Sequence, residues 1–295
     1  MQLEHLTLFL TIVEKGSLAG AGRELGLAAT TVSERLLALE SHYGVTLLNR
    51  TTRAISLTDE GRTLVEGARH VLAAAHELDS RVRLGAKTLS GLIRISAPID
   101  LGRNIIKSVV DSFLQDNPNI SVELLLSDGY VNIIDEGIDL AVRFGELADS
   151  SLRAKSLGVS QRLVCAAPHY LKQHGTPQIP TELKQHNCLL MRFGSQLDNV
   201  WNFRVKGKMQ QVSVKGNRLA NDGALVHDWC LAGFGIALKS HWDVAKDIKA
   251  GKLVEILPDY VAPSLPIQML FPPSRSQPRR VRALAAALSE AFAGE

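Results

Sequence analysis

Residues 29–50 read ATTVSERLLALESHYGVTLLNR. Val32, Leu36 and Leu39 recur at i, i+4 and i+7, one apolar stripe of a helix that Tyr43-Gly44 closes. Thr30, Thr31, Ser33, Glu34 and Arg35 lie off that stripe, so the helix opens with short, hydrogen-bonding side chains turned outward. Upstream, Ser17 caps LAGAGRELG, where Ala19, Ala21 and Gly22 allow a neighbour to approach closely, and Gly26 ends it. A first helix carries Leu3, Leu6, Phe9, Leu10 and Val13 and stops at Gly16. Downstream, NRTTRAISL reads as two short strands around a turn.

Two short helices joined through a glycine, the second with a small polar leading face, form a helix-turn-helix pattern, and the strand pair adds a wing. A three-helix bundle with a solvated polar face gives similar spacing; the wing argues against it. Thr methyl groups suit thymine, Arg35 can donate to guanine, and Glu34 can accept from a cytosine amino group. The candidate DNA-facing set is Ser17, Ala29, Thr30, Thr31, Ser33, Glu34 and Arg35, with Arg50, Thr51, Thr52 and Arg53 in the wing for phosphates or the minor groove. Ala28 has no side chain to cap the third helix. Thr31-x-x-Glu34 forms a capping box, which predicts a later helix start.

Thr58 then caps a long helix with Asp59 and Glu60 at its positive end. Leu64, Ala68, Val71, Ala75, Leu78 and Val82 step by fours and threes, an a/d seam whose simplest partner is a second copy of itself. Packing on the chain's own globular part is the alternative. Arg81, Arg83 and Lys87 gather at the far end, where Gly85 can terminate the helix.

Net charge is +3, weakly favouring a polyanionic partner. Residues 1–90 nevertheless hold ten Lys/Arg and ten Asp/Glu, so any nucleic-acid face must come from geometry, not from charge excess. A chain of 295 residues with 45% hydrophobic and 21% charged content suits two or three folded domains. No basic start precedes an apolar run, and no stretch reaches the ~20 apolar residues of a membrane span, so a cytoplasmic location with no membrane partner is expected. Cys165, Cys188 and Cys230 are odd in number and far apart, and read as buried reduced thiols.

MQLEHLTLFLTIVEKGSLAGAGRELGL, SERLLALESHYGVTLLNRTTRAISLTDEG and the long helix together resemble the LysR-type transcriptional regulators. The resemblance runs over the whole chain and is most specific at this end. It makes residues 17–41 the helix-turn-helix, with Ser33, Leu39, Glu40, Gly44, Leu47 and Arg50 at widely shared positions. Three positions depart from it: the family commonly has Ser at Ala28, Pro near Thr30 and a basic residue at Glu34.

After the break LGAKTLSG (84–91) the rhythm becomes strand–helix–strand: LIRISAP, NIIKSVVDSFLQDNP, ISVELLLS, VNIIDEG, IDLAVRFG. QRLVCAAP and NCLLMRFG add strands, RVKGKMQQVSVKG a hairpin, DGALVHDWCLAGFG a helix, PIQMLFP a strand and PRRVRALAAALSEAFAG a closing helix. Such alternation predicts mostly parallel α/β sheets covered by helices.

The resemblance implies a multidomain α/β chain: a winged helix-turn-helix over 1–58, a linker and dimerisation helix with hinge over 59–90, and an effector-binding domain over 91–295. That domain would be a two-lobed, periplasmic-binding-protein-like (type II) fold. Its lobe one is 91–161 plus 268–295 and its lobe two 162–267, with crossings near Ser160–Leu163 and Leu265–Met269. By the same resemblance the cleft segments are Pro98, Ile99 and Asp100; Ser127 and Asp128; Arg143 and Phe144; Met191, Arg192 and Phe193; and Asn221 and Asp222. Helix N-termini and the guanidinium groups of Arg143 and Arg192 suit a small organic anion. A structural pairing of Arg143 with Asp128 or Asp139 is the plainer reading.

Other motifs fall short. Gly20-x-Gly22 lacks a preceding strand, Gly233-Phe-Gly235 lacks the third glycine, and His169 and His174 are spaced wrongly for a zincin. No GxSxG or P-loop appears. The expectations are therefore no enzyme, no catalytic residues, no metal site and no cofactor. The expected partners are double-stranded DNA, a small-molecule effector and the chain itself, as a homodimer and, by resemblance, a homotetramer. The alternative is a cytoplasmic small-molecule-binding module without a DNA function.

Overall fold

A computed structural model describes residues 3–50, 55–84, 88–129, 131–145, 152–260, 264–273 and 277–293. Two compact units result: Met1–Gly91 with Ile134–Gly137, and Leu92–Ile133 with Ile138–Glu295.

In the first unit, α1 (Leu3–Lys15), α2 (Leu18–Leu25) and α3 (Ala29–Tyr43) precede β1 (Leu48–Arg50), β2 (Ile55–Leu57) and α4 (Asp59–Leu84). Its core joins Leu6, Leu8, Phe9 and Ile12 of α1 to Ala21, to Val32, Leu36 and Leu39 of α3, to Leu47 and Leu48, and to Val65 and Ala68 of α4. On α1 the stripe is rotated from the expected one: Leu8 and Ile12 are buried and Leu3 is exposed. Gly26 and Gly44 end α2 and α3 at φ +65° and +68°, where a side chain would be strained. β1 and β2 pair antiparallel, Leu48 facing Leu57. The Thr58 hydroxyl accepts from Gly61 N–H at 2.9 Å and donates to the Thr46 carbonyl at 2.8 Å, tying the start of α4 to the approach of the wing.

Two expectations change here. α3 begins at Ala29, with Ala28 as an N-cap that makes no side-chain hydrogen bond, so the later start from Thr31 does not occur. Tertiary burial of Val32 one turn in holds the first turn without a cap. The a/d seam is also divided. Ala68 is sealed in the head's own core and Leu64 packs against it, because the first turns of α4 form one wall of that core. Only the far part of the seam is open, with Leu78 64% and Val82 76% exposed, Val71 exposed and Ala75 half-buried.

The second unit holds two sheets. One has the order β4-β3-β5-β15-β6, made from β3 (Gly91–Ala97), β4 (Ile120–Leu126), β5 (Leu140–Phe144), β6 (Arg153–Ser160) and β15 (Leu265–Phe271). Between β3 and β4 the chain runs through α5 (Ile99–Leu101), a π turn over Gly102–Ile106 and α6 (Lys107–Asp116). The other sheet has the order β12-β8-β13-β7-β14, with β7 (Arg162–Ala166), β8 (Cys188–Phe193), β12 (Arg218–Ala220), β13 (Ile236–Ser240) and β14 (Val254–Ile256). β9 (Gln196–Asp198) folds back antiparallel on the end of β8, and β10 (Val200–Val205) pairs with β11 (Lys208–Ser213) as a separate hairpin. Helices α7 (Pro168–His174), α8 (Gly223–Leu231) and α9 (His241–Lys249) attend the second sheet, and α10 (Arg279–Ala293) closes the chain.

Both sheets are mixed, not mostly parallel. β15 runs antiparallel to β5 and β6, and β7 antiparallel to β13 and β14, while β3–β5, β8–β12 and β8–β13 are parallel. The antiparallel pairs of β7 and β15 follow the two places where the chain crosses between lobes, each strand being the first after a crossing. Ser160 and Arg162 bracket the first crossing. The return is complete by Leu265, which already faces Ser160, so the first lobe regains the chain at 265 and not at 268. VNIIDEG (131–137) forms turns, not a helix. Cys165, Cys188 and Cys230 are buried free thiols. Among the described residues no helix is long and apolar enough to cross a membrane.

Candidate functional site

On the outward face of α3, Ala29, Thr30, Glu34, Leu37, Ala38 and Ser41 are exposed, and Thr31 and Ser33 are half-buried. Leu37, 56% exposed, belongs to this face, and the sequence reading left it unassigned because it lies off the Val32, Leu36 and Leu39 stripe. Arg35 turns from the face toward Glu4 of α1, 3.6 Å away, so its first partner is the head itself and not a base. The Ser17 hydroxyl is engaged as the α2 cap, accepting from Gly20 N–H at 3.0 Å. Glu40 Oε1 accepts from Leu47 N–H at 2.9 Å, which fixes the loop between α3 and the wing. Arg50 ends β1; its side chain, those of Arg81 and Arg83, and Thr51, Thr52, Arg53, Gly85 and Lys87 lie outside the described residues.

Between the two sheets of the second unit lies a cavity of about 540 Å³. Of the sequence-expected residues, Pro98, Asp100, Ser127, Asp128, Arg143, Phe144 and Phe193 line it. Ile99, Arg192, Asn221 and Asp222 do not. Successive strand residues face opposite ways, so Met191 and Phe193 point into the cavity and Arg192 away from it. Asp222 is spent as the α8 cap, accepting from Ala224 and Leu225 N–H at 2.8 and 3.3 Å, and Asn221 is exposed. Ile99 contributes only its N–H, to Asp128 at 3.0 Å.

The second lobe supplies the cations that sequence reasoning missed, Arg162 and Lys239, together with Leu238 and Ser240. No local motif marks them, because they reach the cleft only through the folding of β7 and β13 side by side. Arg162 pairs with Asp198 at 2.6 Å. Lys239, only 5% exposed, donates to the Gly223 carbonyl at 2.7 Å and pairs with Asp243 at 2.8 Å. On the first lobe, Arg143 donates to Ser96 Oγ at 2.7 Å and to the Val142 carbonyl at 3.0 Å. Val131, Ile133, Leu152, Leu265 and Leu270 make the remaining wall apolar.

The expected anion subsite at the helix N-termini is taken from within. Asp128 accepts from Ile99 N–H with one carboxylate oxygen and from Gly223 N–H, at 2.8 Å, with the other. An anionic ligand would therefore meet side-chain cations before backbone amides. Burial pushes the Asp100 carboxyl up to about 6; Lys239 pulls against it, while Asp243 and Asp128 add to the rise.

The sequence profile of the lysR family of bacterial regulatory helix-turn-helix proteins matches residues 3–62, and that of the LysR substrate binding domain matches residues 86–293. The transcriptional regulator DmlR of Escherichia coli K12 is 32% identical over 262 residues, 89% of this chain and 85% of that one. CrgA of Neisseria meningitidis, a LysR-type transcriptional regulator of solved structure, is 31% identical, covers 99% of both chains and gives a TM-score of 0.65. The full-length Vibrio cholerae virulence activator AphB is 28% identical over 98% of both chains, with a TM-score of 0.63. The matched head sets aside a binding module without a DNA function. The chain belongs to the LysR-type transcriptional regulators, with a helix-turn-helix head for DNA and an effector-binding domain for a small molecule.

Proposed function

We propose that this regulator acts in the cytoplasm as at least a dimer, reading a roughly two-fold operator with α3 and the wing, under the control of a small organic anion in the interlobe cleft. The observation that carries the effector class is the sharing of one largely apolar cavity by Arg143 from one lobe and Arg162 and Lys239 from the other. A carboxylate there can be gripped from both sides, and its apolar body can rest on Phe144, Leu152 and Phe193. Control then requires only that the effector bind two DNA-bound arrangements with different affinity.

The exposed apolar side chains Val71, Leu78 and Val82 on α4 support pairing of two long helices, which would hold two heads at fixed separation. Calorimetric titration with carboxylates, amines and neutral sugars tests the effector class; binding of neutral or cationic compounds alone removes it. Gel retardation of the DNA flanking the gene, repeated over a salt series, tests the head. Specific retardation with a steep salt slope is the expected result.

A further inference from the structure

The charged groups around the cleft differ in how fully they are engaged. Lys239 is held by Asp243 and the Gly223 carbonyl, and Arg162 by Asp198. Asp128 has both oxygens bonded to backbone N–H groups of opposite lobes. Asp100 lines the same cavity, and its hydrogen bond among the described residues comes from its own neighbour, Leu101 N–H, at 2.7 Å to one oxygen. The groups that face it are Lys239 from β13, Asp243 from α9 and Asp128 from the segment after β4. His227 of α8 is turned to Asp243 and Asp247, and Arg103 in the adjoining π turn is exposed.

A carboxylate entering this cavity adds a negative charge beside Asp100 and Asp128. Protonating Asp128 would put a hydrogen where it now accepts a backbone N–H, breaking a charge-assisted bond that joins the lobes. Protonating Asp100 disturbs no such bond, and the new O–H becomes a donor to the incoming carboxylate. We propose that the cleft takes its carboxylate effector together with one proton, which Asp100 receives. The balance is simple: ionised Asp100, one proton from solvent and the effector anion give neutral Asp100 beside the bound anion. This rests on the reading above that the effector is an organic anion. The position of the free group agrees with it, since burial has already brought Asp100 to about 6, within reach of neutral pH once a second anion arrives.

The test is calorimetric titration of the full chain with acetate, benzoate, malonate and succinate, in two buffers of unequal ionisation heat, from about pH 5 to about pH 8. For any of these that binds, the buffer dependence should show uptake of about one proton near neutrality, with affinity falling about tenfold per pH unit above about pH 6. Asp100→Asn should bind the same carboxylate with no uptake and a flat profile over that range. Binding by the unaltered chain with no proton uptake, or full uptake by Asp100→Asn, overturns the inference and leaves the anion reading intact. Failure of every carboxylate across the whole pH range ends both.

Discussion

Asp128 and Gly223 meet across the cleft, the carboxylate of one lobe accepting the backbone N–H of the other at 2.8 Å. The second oxygen of Asp128 accepts from Ile99 on its own lobe, so one side chain closes two helix starts and ties the lobes together. Asp128→Asn keeps one accepting oxygen and turns an amide NH₂ toward the other N–H. The expected loss is about 1–3 kcal/mol. All three tryptophans, Trp201, Trp229 and Trp242, lie in this unit, so urea unfolding followed by tryptophan fluorescence reads it directly. An unchanged midpoint would show that the clasp contributes nothing.

Glu34 stands exposed on the face of α3 that would meet DNA, where its charge opposes phosphate. Glu34→Gln should tighten binding to most sequences about two- to tenfold at low salt, and the gain should shrink as salt rises. Fluorescence anisotropy with a labelled operator measures both. A loss of affinity confined to one operator variant would instead make Glu34 a base reader.

The open end of α4 predicts self-association. Leu78→Asp with Val82→Asp should place charges where a second helix would bury leucine and valine, and so leave the chain as a monomer. Sedimentation velocity shows the shift in mass, and operator affinity should drop at least about tenfold as two linked heads become one. Ala68→Ser should act differently, lowering head stability without changing the assembly, since Ala68 faces its own core.

The reasons that part of this was legible in the sequence are local. Gly26, Gly44 and the Thr58 cap on Gly61 act within a few residues, so the ends of α2 and α3 and the start of α4 could be read directly. Val32, Leu36 and Leu39 follow the helical period and are buried as that period requires. The cleft is different. Lys239 and Arg162 sit on adjacent strands 77 positions apart, with Ser240 facing Arg162 across the pair, and nothing near either residue announces a cavity. Arg192 looked suitable by type, but the two-residue alternation of β8 sends it the other way. Asp222 and Asp128 likewise read as ligand groups until the fold showed both accepting backbone N–H groups at the start of α8.

Gly61 in the first turn of α4 marks the tightest glycine approach among the described residues of the head. A Cβ there would lie 2.1 Å from the Leu47 carbonyl oxygen, a backbone atom that cannot swing away. Gly61→Ala should therefore push α4 off the wing, costing about 1–3 kcal/mol as overpacking does. Hydrogen exchange should show lost protection around Leu47 and Thr58, and operator binding should weaken while the tryptophan-monitored transition of the other unit stays in place.

His227 gives the second unit a pH-dependent element. Its Nδ1 lies 3.0 Å from Asp243 and its Nε2 3.1 Å from Asp247. Burial alone would lower its pKa, but the hydrogen bond and charge of Asp243 outweigh that and raise it, against opposition from Lys239. A histidine whose folded pKa exceeds its unfolded one adds stability that is complete below about pH 6.5 and is lost as pH climbs through the folded value. Asp243 runs the other way: burial would raise it, but His227 and Lys239 hold it below the ordinary carboxylate value, so its share is present above about pH 4 and lost in acid. His227→Gln should unfold earlier in urea by roughly 1–3 kcal/mol at about pH 6, the worth of a charge-assisted hydrogen bond. Comparing the two chains at each pH cancels the titrating groups that do not touch His227, Asp100 included, and keeping to near-neutral and alkaline pH stays clear of the acid range in which Asp243 titrates. The gap between them should narrow steadily as pH rises above neutrality; a gap of constant size would mean that His227 is neutral in the fold and that the two carboxylates are held by Lys239 and Lys252 alone.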